Sequence, residues 1–234
     1  EHFDRCLGCM ACVTACPSGV QYHKLIEATR SQLERQVPRT AADRLFREML
    51  FALFPHPERL RPMLPLLRLY QRSGASKVLR TSKLSGLIPA RLLGLDEVMP
   101  PIRRGRVQRH PTRVRSAVRP TRRTVGVVLG CVQRVFFDRV HDATFRVLAA
   151  EGCDVVIPPT QGCCGALCMH AGREDEGLLY ARRLIDAFES ADVDTIVINA
   201  AGCGSNLKEY GYLFRDDPTY ADRAQRFADK VRDV

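Results

Sequence analysis

The run Val125-Gly126-Val127-Val128-Leu129-Gly130-Cys131 decides the fold. A short apolar, β-branched stretch closed by a glycine reads as a strand buried on both faces. Beyond it the hydrophobic period alternates. A helix is expected over 138–150, a strand over 154–157, an amphipathic helix over 173–190, a strand over 195–199 and helix from 205 onward. Strand alternating with helix predicts an α/β unit over 124–234, a parallel sheet flanked by helices. Glu174, Asp175 and Glu176 then fall in the first turn of the long helix, where its positive end favours them.

The same run places the chemistry. Cys131 directly follows the first strand, Cys163 and Cys164 lie in the loop after the second, and Cys203 follows the third. In an open parallel sheet the carboxyl ends form one rim, so these four distant cysteines are expected to converge on one site. Nearby helix N-termini favour thiolates, and Gly162, Gly165, Gly202 and Gly204 allow the backbone to approach a bulky ligand. Metal binding is the favoured reading, against a zinc site specifically, a redox-active thiol pair or ordinary buried cysteines. Adjacent cysteines such as Cys163 and Cys164 are poorly disposed for a disulfide. Cys153 belongs at the opposite rim as a small buried hydrophobe. Cys168 and His170 follow Gly165 closely and are read first as structural.

A second constellation opens the chain. Cys6, Cys9, Cys12 and Cys16, followed by Pro17, spell CxxCxxCxxxCP, the spacing with which thiolates wrap a 4Fe-4S cluster. The alternatives are a zinc knuckle or buried thiols. In two-cluster proteins the fourth cysteine of such a run serves the other cluster. Either Cys16 closes its own cluster, or an upstream run precedes Glu1; the missing methionine favours a fragment.

Helices are expected over 20–36 and 41–54, the latter with Leu45, Phe46, Met49, Leu50, Leu53 and Phe54 as a core stripe. Prolines at 55, 57, 62 and 65 should break the next stretch, and a further helix is expected around 83–93. Residues 1–100 thus form a helical, ferredoxin-type cluster domain. From 101 to 123 the chain carries nine arginines and no acid, nearly all of a net charge of +10. This reads as a basic interdomain linker able to touch anionic lipid headgroups. It has no aromatic residue to stack on bases, so nucleic acid is not expected as a partner.

The composition agrees. The chain has 234 residues, 45% of them hydrophobic and 26% charged, with mean hydropathy −0.17, as in ordinary globular proteins. Ten cysteines fall below the roughly 8–10% density of disulfide scaffolds. No apolar run approaches the roughly 18–20 residues of a membrane helix, and no secretory signal opens the chain. A cytoplasmic address follows, with peripheral contact on the inner face of the membrane through the basic stretch. No phosphate loop, dinucleotide fingerprint or Ser-His-Asp order is present, so the chain itself supplies no catalytic residues.

These residues resemble a known family. His2-Phe3-Asp4-Arg5-Cys6 through Cys16-Pro17-Ser18-Gly19-Val20, with Tyr22-His23, resembles the second ferredoxin motif of glycolate oxidase iron–sulfur subunits. Gly130-Cys131, Gly162-Cys163-Cys164-Gly165-Ala166 with His170, and Gly202-Cys203-Gly204 with Lys208-Glu209-Tyr210-Gly211 resemble its first CCG domain, a module shared with heterodisulfide reductase subunits. The resemblance implies a 4Fe-4S cluster on Cys6, Cys9, Cys12 and Cys16. At Cys131, Cys163, Cys164 and Cys203 it implies a second iron–sulfur cluster or zinc. It further implies electron transfer from an FAD-containing dehydrogenase subunit that oxidises a 2-hydroxy acid such as glycolate, toward a quinone. Related subunits serve lactate or glycerol-3-phosphate dehydrogenases. Family members carry two ferredoxin motifs and two CCG domains, and this chain has one of each. Ala200 stands where heterodisulfide-type domains have a further cysteine, and Cys168 stands where histidine is common, which makes Cys168 a candidate replacement ligand. The reading from a different class is a zinc-stabilised nucleic-acid-binding protein using the arginines.

Overall fold

The computed structural model describes residues 2–6, 8–81, 89–102 and 110–234. The first half is helical: α1 (His2–Arg5), α2 (Ala11–Ala15), α3 (Tyr22–Gln36), α4 (Ala41–Leu53), α5 (Pro57–Leu60), a 3-10 turn (Arg61–Met63), α6 (Leu64–Arg72), α7 (Ala75–Thr81) and α8 (Ala90–Val98). Thr40 caps α4, its hydroxyl accepting the Asp43 N–H at 3.2 Å. The prolines expected to break 55–65 instead open helical turns. Pro57 is the first residue of α5, and Pro62 and Pro65 are the second of the 3-10 turn and of α6, positions in the first turn where a missing N–H costs nothing. Of the helix expected around 83–93, residues 83–88 lie outside the described residues, and α8 covers the rest.

The stripe on α4 is not core. Leu45 is 73% exposed and Met49 37%, while Phe51 is buried beneath the guanidinium groups of Arg47 and Arg173. This cation–π face holds the helix, while Phe46, Leu50, Leu53 and Phe54 of the stripe are half-buried and none is buried.

The second half contains β1 (Arg113–Val114), β2 (Arg123–Val127), α9 (Gln133–Phe136), α10 (Asp138–Ala150), β3 (Cys153–Val156), α11 (Ala166–His170), α12 (Glu174–Glu189), β4 (Thr195–Ile198), α13 (Ala201–Lys208), α14 (Tyr210–Leu213), α15 (Ala221–Lys230) and β5 (Val231–Asp233). The strand order is β1-β3-β2-β4-β5. β2 to β5 run parallel and β1 pairs antiparallel with β3, Arg113 opposite Val156. The sheet is therefore mixed rather than wholly parallel. The antiparallel strand comes from within the arginine-rich stretch, of which residues 103–109 lie outside the described residues.

Alternation along β2 divides the core. Val127 and Leu129 pack with Phe145 of α10, Val155 and Ile157. Val128 packs the other way, in one cluster with Leu184 and Phe188 of α12, Ile196 and Ile198 of β4, and Phe227 of α15. Each such buried side chain contributes about 1.5–3 kcal/mol. Tyr210 and Phe214 are fully buried at the edge of the second cluster.

The two halves meet along α3. The buried Ser31 hydroxyl donates to Glu174 at 2.9 Å, Arg35 lies 3.3 Å from the same carboxylate, and Glu27 lies 2.9 Å from His170 Nδ1. Gly172, at φ +85°, lies against the Arg30 carbonyl so closely that a Cβ would collide with it. No helix among the described residues is long and apolar enough to cross a membrane.

Candidate metal centres

β2 and its two neighbours, β3 and β4, set the place of the second cysteine constellation. The chain leaves β2 toward β3 on one side and later reaches β4 on the other, so a crevice opens beyond their carboxyl ends. Cys131 follows β2, Cys163 and Cys164 precede α11, and Cys203 lies in the first turn of α13. The structure brings these four together. The sulfurs of Cys131 and Cys163 are 3.4 Å apart, a Cβ on Gly130 would lie 4.0 Å from Cys203 Sγ, and Cys164 lies within hydrogen-bonding reach of Cys163 and Cys203.

Their protonation is uneven. Cys163 is lowered to about 4, first because neighbouring Cys131 and Cys164 share hydrogens with it, and further by the Gly165 N–H at 3.4 Å. Cys203 is lowered by the Cys164 thiol. Cys131 and Cys164 are pushed up, by the hydrogen bonds they make to these neighbours and by burial. Three buried sulfurs and the half-buried Cys203 thus lie within hydrogen-bonding reach of one another. That donor set suits a positively charged metal body, which replaces the protons and lets all four bind as thiolates. Among the described residues no three His, Cys, Asp or Glu side chains already close around the position of a single ion.

The surroundings hold the loop in place. The Cys164 carbonyl accepts Asn206 Nδ2 at 2.9 Å and the Tyr210 hydroxyl at 2.7 Å. Gln161 bridges the Leu129 N–H and the Val127 carbonyl, at 2.8 and 3.1 Å, fixing the loop to the end of β2. Arg134 Nε donates to the Gly130 carbonyl at 2.7 Å, and its Nη2 is buried without a protein partner. Burial and nearby Arg61 lower its pKa, while the Cys131 and Cys163 sulfurs raise it. From the helical half, His56 Nε2 lies 3.0 Å from the Tyr180 hydroxyl.

Cys168 is fully buried on α11, and burial pushes its thiol up to about 12. Cys153 begins β3 at the opposite rim and is half-buried rather than buried.

At the N-terminus, Cys6 and Cys16 are half-buried and Cys9 and Cys12 exposed. The loop turns through Gly8 and Met10, both with φ near +60°. Backbone N–H groups reach two of the sulfurs: Gly8 donates to Cys6 Sγ at 3.4 Å, and those of Val20, Ser18 and Gly19 lower Cys16. Tyr22 is raised, first by burial and then by its hydrogen bond to Cys6. A loop of thiols fed by main-chain N–H groups fits an anionic cluster.

Sequence reasoning did not single out Arg134, Asn206, Gln161, His56 or Tyr180. Asn206 alone left a trace, one turn past Cys203 on the same helix; the others depend on tertiary placement.

Comparison with known proteins agrees with this arrangement. Residues 2–22 match the family described as 4Fe-4S binding domain, 42–99 that described as glycolate oxidase iron-sulfur subunit, linker region, and 125–208 that described as cysteine-rich domain. The chain is 38% identical over 229 residues to a probable glycolate oxidase iron-sulfur subunit of Bacillus subtilis, covering 97% of this chain and 52% of that protein. It is 32% identical to the glycolate oxidase iron-sulfur subunit of Escherichia coli, over 100% of this chain and 52% of the relative. A lactate utilization protein A of Bacillus licheniformis is 36% identical over 47% of this chain and 45% of its own length. No solved structure matches significantly. The chain spans about half the length of the glycolate oxidase relatives it matches. With its 4Fe-4S-binding, linker and cysteine-rich regions in this order, the chain is similar over nearly its whole length to about half of the glycolate oxidase iron–sulfur subunits.

Proposed function

We propose that this chain is the electron-transfer part of a flavin-dependent 2-hydroxyacid dehydrogenase of the glycolate type, with substrate oxidised on an FAD-containing partner and electrons passed toward a quinone. The observation that carries the reading is the convergence of Cys131, Cys163, Cys164 and Cys203 on one rim of the sheet, 3.4 Å between the first two sulfurs. Cys6, Cys9, Cys12 and Cys16 hold a 4Fe-4S cluster, and the four rim cysteines hold a second iron–sulfur cluster. Bound there, such clusters store and release single electrons. The chain's own residues do the rest. Main-chain N–H groups around Cys16 and the cationic Arg134 beside Cys131 stabilise negative charge on the sulfurs. Asn206 and Tyr210 hold the Cys164 peptide, and Cys164 itself packs in the apolar cluster around Val128.

The organisation that supports this is a cluster-bearing helical part over 1–100, the basic stretch 101–123, and a cysteine-rich α/β part over 124–234 with the parallel strands covered by helices. Arg113, Arg119 and Arg123 of the basic stretch suit peripheral contact with anionic headgroups on the cytoplasmic face of a membrane. A lactate-oxidising complex is the second reading, favoured by the match to the lactate utilization protein.

The test is iron and zinc analysis of anaerobically purified protein, followed by mixing with the flavoprotein partner. About four or more iron atoms per chain, and bleaching by glycolate only when the flavoprotein is present, is the expected result. Bleaching by lactate alone selects the second reading. Zinc without iron overturns both and turns attention to nucleic acid.

A further inference from the structure

Arg30, in the middle of α3, touches both cysteine-bearing parts of the molecule. Its Nε and Nη2 donate to the Phe3 carbonyl at 3.0 and 2.8 Å, Nη2 also donates to the carbonyl of Cys6, and Nη1 donates to the carbonyl of His170 at 2.8 Å. One guanidinium therefore joins the peptide of the first N-terminal cysteine to the last residue of α11. That helix starts two residues after Cys164 and also carries the buried Cys168.

The surroundings make the clamp rigid. Ser31, the next residue, is buried and bonded to Glu174 at the start of α12, and His170 is paired through its ring to Glu27 one turn back on α3. Gly172 packs directly on the Arg30 carbonyl, leaving no room for a side chain between α3 and the end of α11. A planar fork with five donors can serve three carbonyls at once; an ammonium on a flexible stem cannot hold the same geometry. The group is also a fixed positive charge placed between two sites that gather negative charge.

We infer that Arg30 is a positioning residue that fixes the separation and electronic contact between the two cysteine-held sites, so that one electron can pass between them. The inference rests on the proposed function. In this step one site loses the electron that the other gains. No bond is made or broken and no proton moves. The electron is supplied by a reduced flavin, or by dithionite in the test.

The test uses the full chain with its clusters loaded, comparing wild type, Arg30→Ala, Arg30→Lys and, as a control, Arg35→Ala. Arg35 also links α3 to α12, through Glu174, without touching the cysteine loops. Iron per chain, the electron paramagnetic resonance spectrum of the fully reduced protein and the rate of electron equilibration after flash reduction are measured. Both Arg30 variants are expected to keep their iron, to lose the magnetic interaction between the centres and to slow equilibration, with Arg35→Ala unchanged. Unchanged coupling and rate in both Arg30 variants would overturn the inference. So would loss of iron from them, which makes Arg30 an assembly residue, or an equal effect in Arg35→Ala, which makes it ordinary packing. Failure of wild type to hold two reducible centres instead removes the proposed function itself.

Discussion

Cys131 and Cys163 stand 32 positions apart in the chain and their sulfurs lie 3.4 Å apart. The contact exists because β2 and β3 are parallel neighbours, Val125 opposite Val155, and both release their loops at the same rim. It is the pair from which the rim site is built.

Replacing Cys163 by Ser removes the sulfur that neighbouring thiols and the Gly165 N–H polarise. Iron should fall by the content of the rim centre alone, while the spectrum of the N-terminal centre persists. Cys16→Ser should do the converse. Mössbauer and iron analysis of the two variants check this.

Tyr210→Phe removes one of two buried donors to the Cys164 carbonyl. The loss should be about 1 kcal/mol in urea unfolding, and Tyr210→Phe with Asn206→Ala should cost more than the sum of the singles, because the carbonyl is then left without either partner.

Gly172→Ala forces a Cβ onto the Arg30 carbonyl at a backbone angle of φ +85°. A destabilisation of about 2 kcal/mol or more is expected. Protease cleavage near residue 172 should accelerate with it.

His141 is fully buried, and burial, helped by neighbouring His110, lowers it from 6.5 to about 4; Asp138 and the Leu129 backbone oppose and Arg134 reinforces the shift. Below pH 6.5 the unfolded chain therefore takes up a proton that the folded chain refuses. The associated stability is complete above pH 6.5 and is lost as pH falls toward 4, at up to about 1.4 kcal/mol per pH unit. Urea midpoints measured across this window should flatten in His141→Leu.

Leu45→Lys, on the exposed stripe of α4, should change the stability of the chain by less than about 0.5 kcal/mol. A large loss would restore Leu45 to the core.

The alternation of strand and helix after Val125 was legible because both periods are short-range and the strands are uniformly apolar. β1 and β5 were not: at two and three residues, with arginines among them, they carry no period, and only their neighbours make them strands. The α4 stripe misled because 3.6-residue periodicity marks an apolar face without saying what covers it. The chain instead buried Phe51 by stacking it under Arg173. The candidate metal-binding cysteines stood out by spacing and by their place after strands. Arg30 did not, since an arginine in an amphipathic helix looks like any solvated cation until the carbonyls of Phe3, Cys6 and His170 are brought around it.

The two cysteine sets sit on scaffolds of opposite character. The rim sulfurs hang from a sheet whose two apolar clusters are built almost wholly from other side chains, Cys164 alone lying within one and Cys203 packing against it, whereas α2, which carries Cys12, buries no residue of its own, and Cys9 beside it is exposed. Maturation should therefore proceed by two routes: insertion into a finished host at the rim, and acquisition of order together with iron at the N-terminus. A chelator would then loosen residues 2–20 while leaving the α/β half standing as an empty but folded receptacle.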